Sequence, residues 1–199
     1  MARTIRVAQG DLTEGEALLL VNASNTNAAL GTGVSGAIRR ACGAGYQKRI
    51  QQALQDRFNG PMEPGQVLVT DAGSHPKARW VAHVAVMDYR QGFTGSSFPT
   101  EETIERGCRN LWQAVEELGA KEVSVAMVAL GAGTGNLGLR RSVEIGCRTL
   151  AEHLSKNPQS AIGDVTFYGY ELHEFVVTLE VVREHFAVPE ECIPEELRR

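Results

Sequence analysis

The chain has 199 residues, 43% of them hydrophobic and 22% charged, with a formal net charge of −4. This length and composition are typical of one soluble globular domain with a short tail. The negative charge argues against broad binding to a nucleic-acid backbone, so no extended nucleic-acid surface is predicted. No apolar run is long enough to span a bilayer, and the opening residues lack the pattern of a signal peptide. We therefore expect a cytoplasmic protein that makes no membrane contact.

Cysteine and histidine are too scattered to predict a metal site. Cys42, Cys108, Cys147 and Cys192 form no C-x-x-C pair, and none of them clusters with a histidine. The five histidines are equally dispersed. Buried free thiols are the default interpretation, and neither a disulfide framework nor a bound metal is expected.

The first half of the chain predicts four strands and one helix. Alternating apolar and polar residues at 3–9 predict an edge strand, whereas the continuous apolar run 17–21 predicts a strand covered on both faces. A glycine-rich loop follows, and a helix is then expected from Gly36 to Arg57. Two more strands are predicted at 66–72 and 79–87.

The second half alternates helices with strands. Thr100 is placed to cap a helix whose apolar stripe recurs every three or four residues. A strand at 122–130 runs straight into a second glycine loop, and a helix with one apolar face follows over 139–154. A strand at 164–170 and a last helix at 172–186 complete the alternation.

The order of these elements predicts an α/β fold. Strands that alternate with helices predict a mostly parallel sheet of about six strands, with helices on both sides. At two points one strand follows another directly, which predicts at least one antiparallel neighbour. We expect one domain over residues 1–186, followed by an acidic, proline-punctuated surface tail at 187–199.

Two segments match the pattern G-x-G-x-x-G, and each lies between a predicted strand and a predicted helix. Glycine lets the backbone turn tightly and approach an oxyanion, while exposed N–H groups and a helix N-terminus supply donors. One match alone is more often a tight turn. Two matches at the carboxyl ends of strands, where such sheets bind ligands, predict a phosphate held from both sides. The glycines are Gly31, Gly33 and Gly36 in the first segment and Gly133, Gly135 and Gly138 in the second.

A Rossmann dinucleotide site is the competing interpretation. Its fingerprint follows the first strand immediately and has an acidic residue about 20 positions further on. Asp56 has that spacing, but another strand precedes this one, and an asparagine-rich insertion separates Val21 from Gly31. The insertion has no role in a Rossmann site. An NAD-dependent oxidoreductase therefore remains only a distant alternative.

Three polar residues near the first glycine segment each have a structural and a functional interpretation. Asn22 and Asn25 either end the strand and satisfy loop backbone groups, or bind sugar hydroxyls through amides that both donate and accept. Asp11 is either a turn or cap residue or the acceptor for an exocyclic amine such as that of adenine. The residues alone leave these alternatives open.

Two later strands carry polar and aromatic side chains that also need interpretation. His83 lies in an alternating strand and is interpreted as a hydrogen-bonded core residue rather than a base or ligand. Tyr168 and Tyr170 point to one face of the last strand, and Phe167 points to the other. We expect one tyrosine to pack in the core and the one nearer the strand end to stack on a planar ring.

Four motifs in this order resemble the macrodomain family. They are 10-GDLT-13, 22-NASN-25, 30-LGTGVSGAIRRACG-43 and 128-VALGAGTGNLG-138, and the match extends over roughly residues 3 to 186. The resemblance implies a three-layer α/β/α sandwich over a mixed, mostly parallel sheet. It also implies that ADP-ribose binds in a surface cleft, as a ligand and without a further cofactor.

The resemblance implies a role for each motif residue. Asp11 would accept a hydrogen bond from the adenine amine, helped by the backbone of Leu12, and Tyr170 would stack on adenine. Asn25 would hold the distal ribose hydroxyls, with Asn22 supporting the loop. The phosphates would lie between two loops, formed by Gly31, Thr32, Gly33, Val34, Ser35 and Gly36 on one side and by Gly131, Ala132, Gly133, Thr134, Gly135 and Asn136 on the other.

The departures from the family pattern concern the chemistry. Family members of the MacroD type, which remove ADP-ribose from acidic side chains, have an aspartate at the position of Ser35. A hydroxyl cannot act as a comparable base at neutral pH. Arg39 stands where a histidine is usual, and a guanidinium cannot shuttle protons. Asp88 is the one carboxylate near the expected cleft that we can suggest as a substitute.

Binding of ADP-ribose, free or attached to protein or nucleic acid, is therefore the predicted function. The alternative is an ADP-ribosyl hydrolase that positions a water against the distal ribose of a modified macromolecule or a related ADP-ribose derivative. Both functions need the phosphate loops and the asparagines, so these motifs do not separate them. The candidate catalytic residues are Asn25, Ser35 and Asp88, and whether the protein is an enzyme stays open.

Overall fold

A computed structural model describes residues 3–198 as a six-stranded sheet with helices on both faces. The strands are β1 (Ile5–Gln9), β2 (Leu19–Asn25), β3 (Val67–Asp71), β4 (Trp80–Met87), β5 (Val123–Val128) and β6 (Ile162–Gly169). The helices are α1 (Gly33–Cys42), α2 (Tyr46–Phe58), α3 (Glu101–Glu116), α4 (Leu139–Lys156) and α5 (Leu172–His185). None of the helices described is both long and apolar enough to span a membrane.

The strand order across the sheet is β1-β6-β5-β2-β4-β3. β3 pairs antiparallel with β4, and the other neighbouring pairs are parallel. The predicted mixed, mostly parallel sheet of about six strands is therefore confirmed, as is the position of β1 at an edge. β1 and β2 follow each other in the chain without being neighbours, because β6 and β5 lie between them.

Each face of the sheet carries its own hydrophobic core. Side chains alternate between the faces of a strand, so along β2 Leu19 and Val21 point to one core and Leu20 to the other. α3, α4 and α5 cover the first core, while α1 and α2 cover the second. This confirms the predicted three-layer α/β/α sandwich. Trp112 of α3 is fully buried, and its indole N–H donates to Thr149 Oγ1 of α4 at 3.2 Å, which ties two helices of one layer together.

Two differences from the predicted elements change how the site is built. The helix expected from Gly36 to Arg57 is two helices, because Gly43 and Gly45 have φ of 87° and 78°, in the left-handed region that interrupts a helix. β2 continues to Asn25 instead of ending with the apolar run, because its pairing with β4 extends that far. The asparagine motif therefore belongs to a strand and not to the loop after it.

The segment after α5 is held by apolar anchors. Ile193 is buried in the core, in a short 3-10 turn region that contacts β1, and Val188 and Leu197 pack against the same core. The glutamates between residues 190 and 196 are exposed. The acidic tail thus lies on the surface with one side chain in the core, and the domain boundary at residue 186 stays a prediction.

Candidate functional site

A cleft of about 530 Å³ opens along the carboxyl ends of five strands. Gly10–Leu12 after β1, together with Tyr168 and Tyr170 near the end of β6, line one end, which we call the β1/β6 end. Ala23 of β2 and Met87 of β4 line the opposite end, the β2/β4 end. The start of α1 and the loop after β5 line the middle, since β5 lies between β6 and β2 in the sheet. The cleft is therefore where ligands bind in open α/β sheets.

Most of the predicted ligand-binding residues line this cleft. They are Asp11, Leu12, Thr32, Gly33, Val34, Gly131, Ala132, Gly133, Thr134, Gly135 and Tyr170. The remaining predicted residues are not among those that line it, namely Asn22, Asn25, Gly31, Ser35, Gly36, Asn136 and Asp88. The structure thus brings both glycine loops and the expected adenine contacts together, and it leaves the three catalytic candidates outside the lining.

The second glycine loop, Gly131–Asn136, is folded tightly enough to require glycine near its centre. Leu137 N donates to Gly131 O at 3.0 Å, which closes the loop. A Cβ on Gly135 would lie 2.6 Å from Gly131 O, so no other residue fits without a shift of the backbone. Gly131, Gly133 and Gly135 all line the cleft, and the loop therefore presents much of its backbone to a ligand.

The first glycine loop, Gly31–Gly36, brings the N-terminus of α1 to the cleft. α1 begins at Gly33, where φ is 58°, and neither a side-chain cap from Thr32 nor an acidic residue in the first turn is present. The N–H groups and the positive end of the helix dipole therefore face the cleft without a capping side chain from the residues that the structure describes. A helix terminus of this kind suits a phosphate.

Ser35 belongs to a buried chain of hydrogen bonds. Ser35 Oγ donates to Asn22 Oδ1 at 2.8 Å, and Asn22 Nδ2 donates to His83 Nδ1 at 3.1 Å. Because Nδ1 accepts, the proton of the neutral imidazole lies on Nε2, which faces Thr70 Oγ1 at 3.1 Å. Burial lowers the pKa of His83 to about 3, so the ring is neutral at pH 7. The interpretation of His83 as a hydrogen-bonded core residue is confirmed.

Asn25 shapes the connection between β2 and the first glycine loop. Its Oδ1 accepts hydrogen bonds from Asn27 N at 3.1 Å and Ala29 N at 3.2 Å, and its Nδ2 donates to Ala29 O at 2.9 Å. The carboxamide therefore holds a turn of backbone in the way expected of an asparagine that ends a strand. In this structure its polar atoms are engaged by the protein itself.

The β1/β6 end of the cleft combines a carboxylate with an exposed aromatic ring. Asp11 caps the 3-10 turn Leu12–Glu14, where its Oδ1 accepts from Thr13 N at 2.9 Å and from Thr13 Oγ1 at 2.7 Å. Its Oδ2 makes no hydrogen bond within residues 3–198. The Tyr170 side chain is 66% exposed, whereas Tyr168 packs against the core under α1 and α2. The predicted packing of one tyrosine in the core is confirmed for Tyr168, and the stacking of Tyr170 on a planar ring stays a prediction.

Asp88 is paired outside the cleft lining. Its Oδ2 lies 2.7 Å from Nη2 of Arg90, and this guanidinium holds the pKa of Asp88 below its usual range. The carboxylate is therefore ionised but already engaged. Among the described residues, no group of three His, Cys, Asp or Glu side chains is arranged to hold a metal ion.

Arg40 and Glu174 line the cleft and were not predicted as site residues. Arg40 shares a helical face with Gly33, Val34 and Ala37, and this spacing of three or four residues was visible in the sequence. Glu174 accepts from Tyr170 N at 2.8 Å and from Glu171 N, as part of the cap of α5. The sequence carried no signal for Glu174, because its place depends on how α5 meets the end of β6.

The chain resembles known proteins in sequence and in fold. It is 29% identical over 177 residues to an O-acetyl-ADP-ribose deacetylase of Cronobacter sakazakii, and this match covers 89% of this chain and 92% of the relative. It is also 29% identical over 163 residues to an uncharacterised protein of Thermotoga maritima, a match that covers 82% of this chain but 26% of that protein. The Trypanosoma brucei macrodomain in complex with ADP-ribose superposes with a TM-score of 0.70 at 22% identity, covering 89% of this chain and 68% of that chain.

A family model assigns most of the site to a known family. The Macro domain model matches residues 21–146, a range that begins in β2 and contains both glycine loops. At 22% identity the structural likeness concerns the fold, and it agrees with the six-stranded sandwich described above. On the family model and this fold together, the chain belongs to the Macro domain family.

Proposed function

We propose that the protein binds ADP-ribose in the cleft between its two glycine loops. The observation that supports this most is the order of groups along the cleft. An exposed aromatic ring and a carboxylate line the β1/β6 end, and an uncapped helix N-terminus meets a glycine loop in the middle. Adenine, a diphosphate and a second ribose follow one another in the same order in ADP-ribose. The Trypanosoma brucei macrodomain, which is named in complex with ADP-ribose, supports the same ligand.

In the proposed orientation, adenine lies at the β1/β6 end. Tyr170 offers its exposed ring for stacking, and Asp11 Oδ2 is free to accept a hydrogen bond from the exocyclic amine. The diphosphate lies between Gly33 at the start of α1 and Gly135 of the second loop, where backbone N–H groups supply donors. The distal ribose then reaches the β2/β4 end, beside Met87.

The distribution of carboxylates favours binding over hydrolysis. Among the described residues that line the cleft, the carboxylates are Asp11 and Glu174, and both are at the end proposed for adenine. A general base for hydrolysis is needed at the distal ribose instead. Ser35 Oγ donates a hydrogen bond to Asn22 Oδ1, and Asp88 is paired with Arg90. None of the three catalytic candidates lines the cleft.

A second candidate function is hydrolysis of an ADP-ribose derivative. It is favoured by the relative named O-acetyl-ADP-ribose deacetylase, which matches this chain over 92% of its own length. Such an activity would use a water held by the backbone of the glycine loops, next to the distal ribose. It would need the same binding cleft, so binding is common to both candidates.

Calorimetry with ADP-ribose tests the binding proposal, and two exposed residues provide a matched pair of variants. Tyr170 and Leu172 are 66% and 60% exposed, but only Tyr170 lines the cleft. Loss of a stacked ring in Tyr170→Ala should weaken binding by about 1–3 kcal/mol, a range measured for base stacking on aromatic side chains. Leu172→Ala should bind like the wild type. Absence of ADP-ribose binding by the wild type contradicts the proposal, and equal effects of the two substitutions contradict the orientation.

An incubation assay separates the two candidate functions. The substrates are ADP-ribosylated protein, ADP-ribosylated DNA and O-acetyl-ADP-ribose, each followed by release of its ADP-ribose or acetyl group. We expect all three to survive incubation with the wild-type protein. Release that depends on protein concentration and disappears in Asn25→Ala would establish hydrolysis and overturn the preference for binding alone.

A further inference from the structure

Arg40 brings to the cleft a positive charge that has no partner in the protein. Its side chain lines the cleft, and it makes no ion pair and no hydrogen bond within residues 3–198. Several other arginines of the chain are paired, as Arg90 is with Asp88 and Arg141 is with Glu101, whereas Arg40 is the arginine among the described residues that lines the cleft. The guanidinium of Arg40 is therefore available to a ligand.

The side chain of Arg40 extends back along α1 towards the first glycine loop. Its Nη1 lies 3.6 Å from the position that a Cβ on Gly36 would occupy, one helical turn earlier. Side chains on a helix lean towards its N-terminus, and the missing side chain at Gly36 leaves room for this one. Gly33, Val34 and Ala37 line the cleft on the same face of α1. The guanidinium therefore lies on the cleft side of the helix whose N-terminus faces the middle of the cleft.

The charges around the cleft indicate why a cation is needed there to bind a diphosphate. The other charged residues that line the cleft are Asp11 and Glu174, both negative, and the whole chain carries a net charge of −4. A diphosphate that enters the cleft meets this negative field and needs a positive group beside the neutral N–H donors of the loops. A guanidinium binds phosphate oxygens through two parallel N–H groups, which adds direction to its charge.

We infer that Arg40 is a specificity-determining residue that binds the diphosphate of the ligand and makes the cleft select diphosphate nucleotides over uncharged nucleosides. The inference rests on the proposed function, because it takes the ligand to be ADP-ribose. Arg40 of α1 would provide a formal positive charge beside the neutral N–H donors of the glycine loops. It also makes binding sensitive to salt, because mobile ions screen an exposed charge pair.

The test compares Arg40→Gln with Arg39→Gln. Arg39 is the preceding residue, is exposed on the same helix and does not line the cleft, so both substitutions remove one charge from α1. Calorimetry would measure ADP-ribose, ADP and adenosine against each variant. R40Q should weaken ADP-ribose and ADP by the same factor, about tenfold or more as for a lost charge-assisted hydrogen bond. R39Q should bind all three ligands like the wild type.

Adenosine affinity and the salt dependence of ADP binding distinguish diphosphate binding by Arg40 from a structural role. A structural defect in R40Q would also weaken adenosine binding. R40Q should leave adenosine binding unchanged and should lose much of the salt dependence that the wild type shows with ADP. Arg40→Lys keeps the charge without the paired donors, and it should restore part of the affinity for ADP. Thermal unfolding of Arg40→Lys and of R40Q, measured together, checks that both variants are folded.

The outcomes separate this inference from the proposed function. A wild-type protein that binds no ADP-ribose contradicts the proposed function. Normal wild-type binding with R40Q indistinguishable from R39Q overturns only the role of Arg40. An R40Q variant that weakens adenosine as much as ADP, or that weakens ADP-ribose alone, also overturns it, because the lost contact would then not be to the diphosphate.

Discussion

Replacement of Gly135 by alanine tests whether the tight second glycine loop forms the cleft. The added Cβ would lie 2.6 Å from Gly131 O, 2.8 Å from Gly131 Cα and 2.9 Å from Pro99 Cγ. Two of these atoms belong to the backbone and cannot turn aside, so the loop has to move. Overpacking of this kind costs about 1–3 kcal/mol of unfolding free energy. In a chain of this length, that loss lowers Tm by about 2–12 °C.

Thermal unfolding and ADP-ribose calorimetry measure the two consequences of this change. Gly133→Ala is the matched control, because Gly133 is in the same loop and lines the same cleft, while its added Cβ would meet nothing within 4 Å. We expect G133A to keep the wild-type Tm or exceed it slightly, since alanine reduces the entropy of the unfolded chain. G135A should lose about tenfold in ADP-ribose affinity, equivalent to about 1.4 kcal/mol. A G135A protein as stable as G133A, with wild-type affinity, would refute the reasoning.

The remaining predictions concern the polar residues of the site. Asp11→Ala should weaken ADP-ribose binding in calorimetry by at least about 1.5 kcal/mol, the scale of a charged hydrogen bond, and unchanged affinity would exclude the adenine contact. Ser35→Ala removes the donor to buried Asn22 Oδ1 and should cost about 1–3 kcal/mol in chemical denaturation with little change in affinity. The pKa of His83, about 3 in the fold against about 6.5 for an ordinary histidine, means that protonation favours the unfolded chain. Its contribution to stability is therefore complete above pH 6.5, and between pH 7 and pH 5 denaturation should show a loss of about 2 kcal/mol from this group. The slope should flatten in His83→Gln, and an equal slope in both proteins would contradict the assignment.

Local patterns predicted the elements of this fold well, because each strand and helix is marked by its own periodicity. The apolar stripe after Thr100 gave α3, and the hydroxyl of Thr100 accepts from Thr103 N at 3.2 Å as a cap does. The break between α1 and α2 was not predicted, because the helical pattern resumes after Gly45. The sequence alone does not show that Gly43 and Gly45 adopt left-handed backbone angles. The pairing of β1 with β6 joins residues at opposite ends of the chain, and no local pattern encodes it.

The candidate site was predictable where backbone geometry determines it and less so where tertiary contacts do. The closed turn requires glycine at position 135, and the glycine motif that contains this residue predicted the loop from the sequence. Asn22 fits a ligand-binding motif equally well in the sequence, yet it is fully buried and bonded to Ser35 and His83. The difference comes from the extension of β2, which only pairing with β4 reveals. Arg40 was not predicted as a site residue, because its spacing from Gly33 and Ala37 becomes informative only once the face of α1 that lines the cleft is known.

The contrast between Ser35 and Arg40 describes how α1 serves the proposed cleft. Ser35 turns inward and its Oγ donates a hydrogen bond to Asn22 Oδ1, so the helix position where MacroD-type relatives have an aspartate here anchors α1 to β2. Arg40 turns towards the cleft with its charge unpaired within the described residues. The unpaired cation of Arg40 favours retention of an anionic ligand. Neither Arg40 nor the inward Ser35 hydroxyl supplies a base at the distal ribose of the proposed orientation. Hydrolysis by this protein would therefore have to draw its water activation from the ligand or from loop backbone, whereas binding requires nothing beyond the groups that already line the cleft.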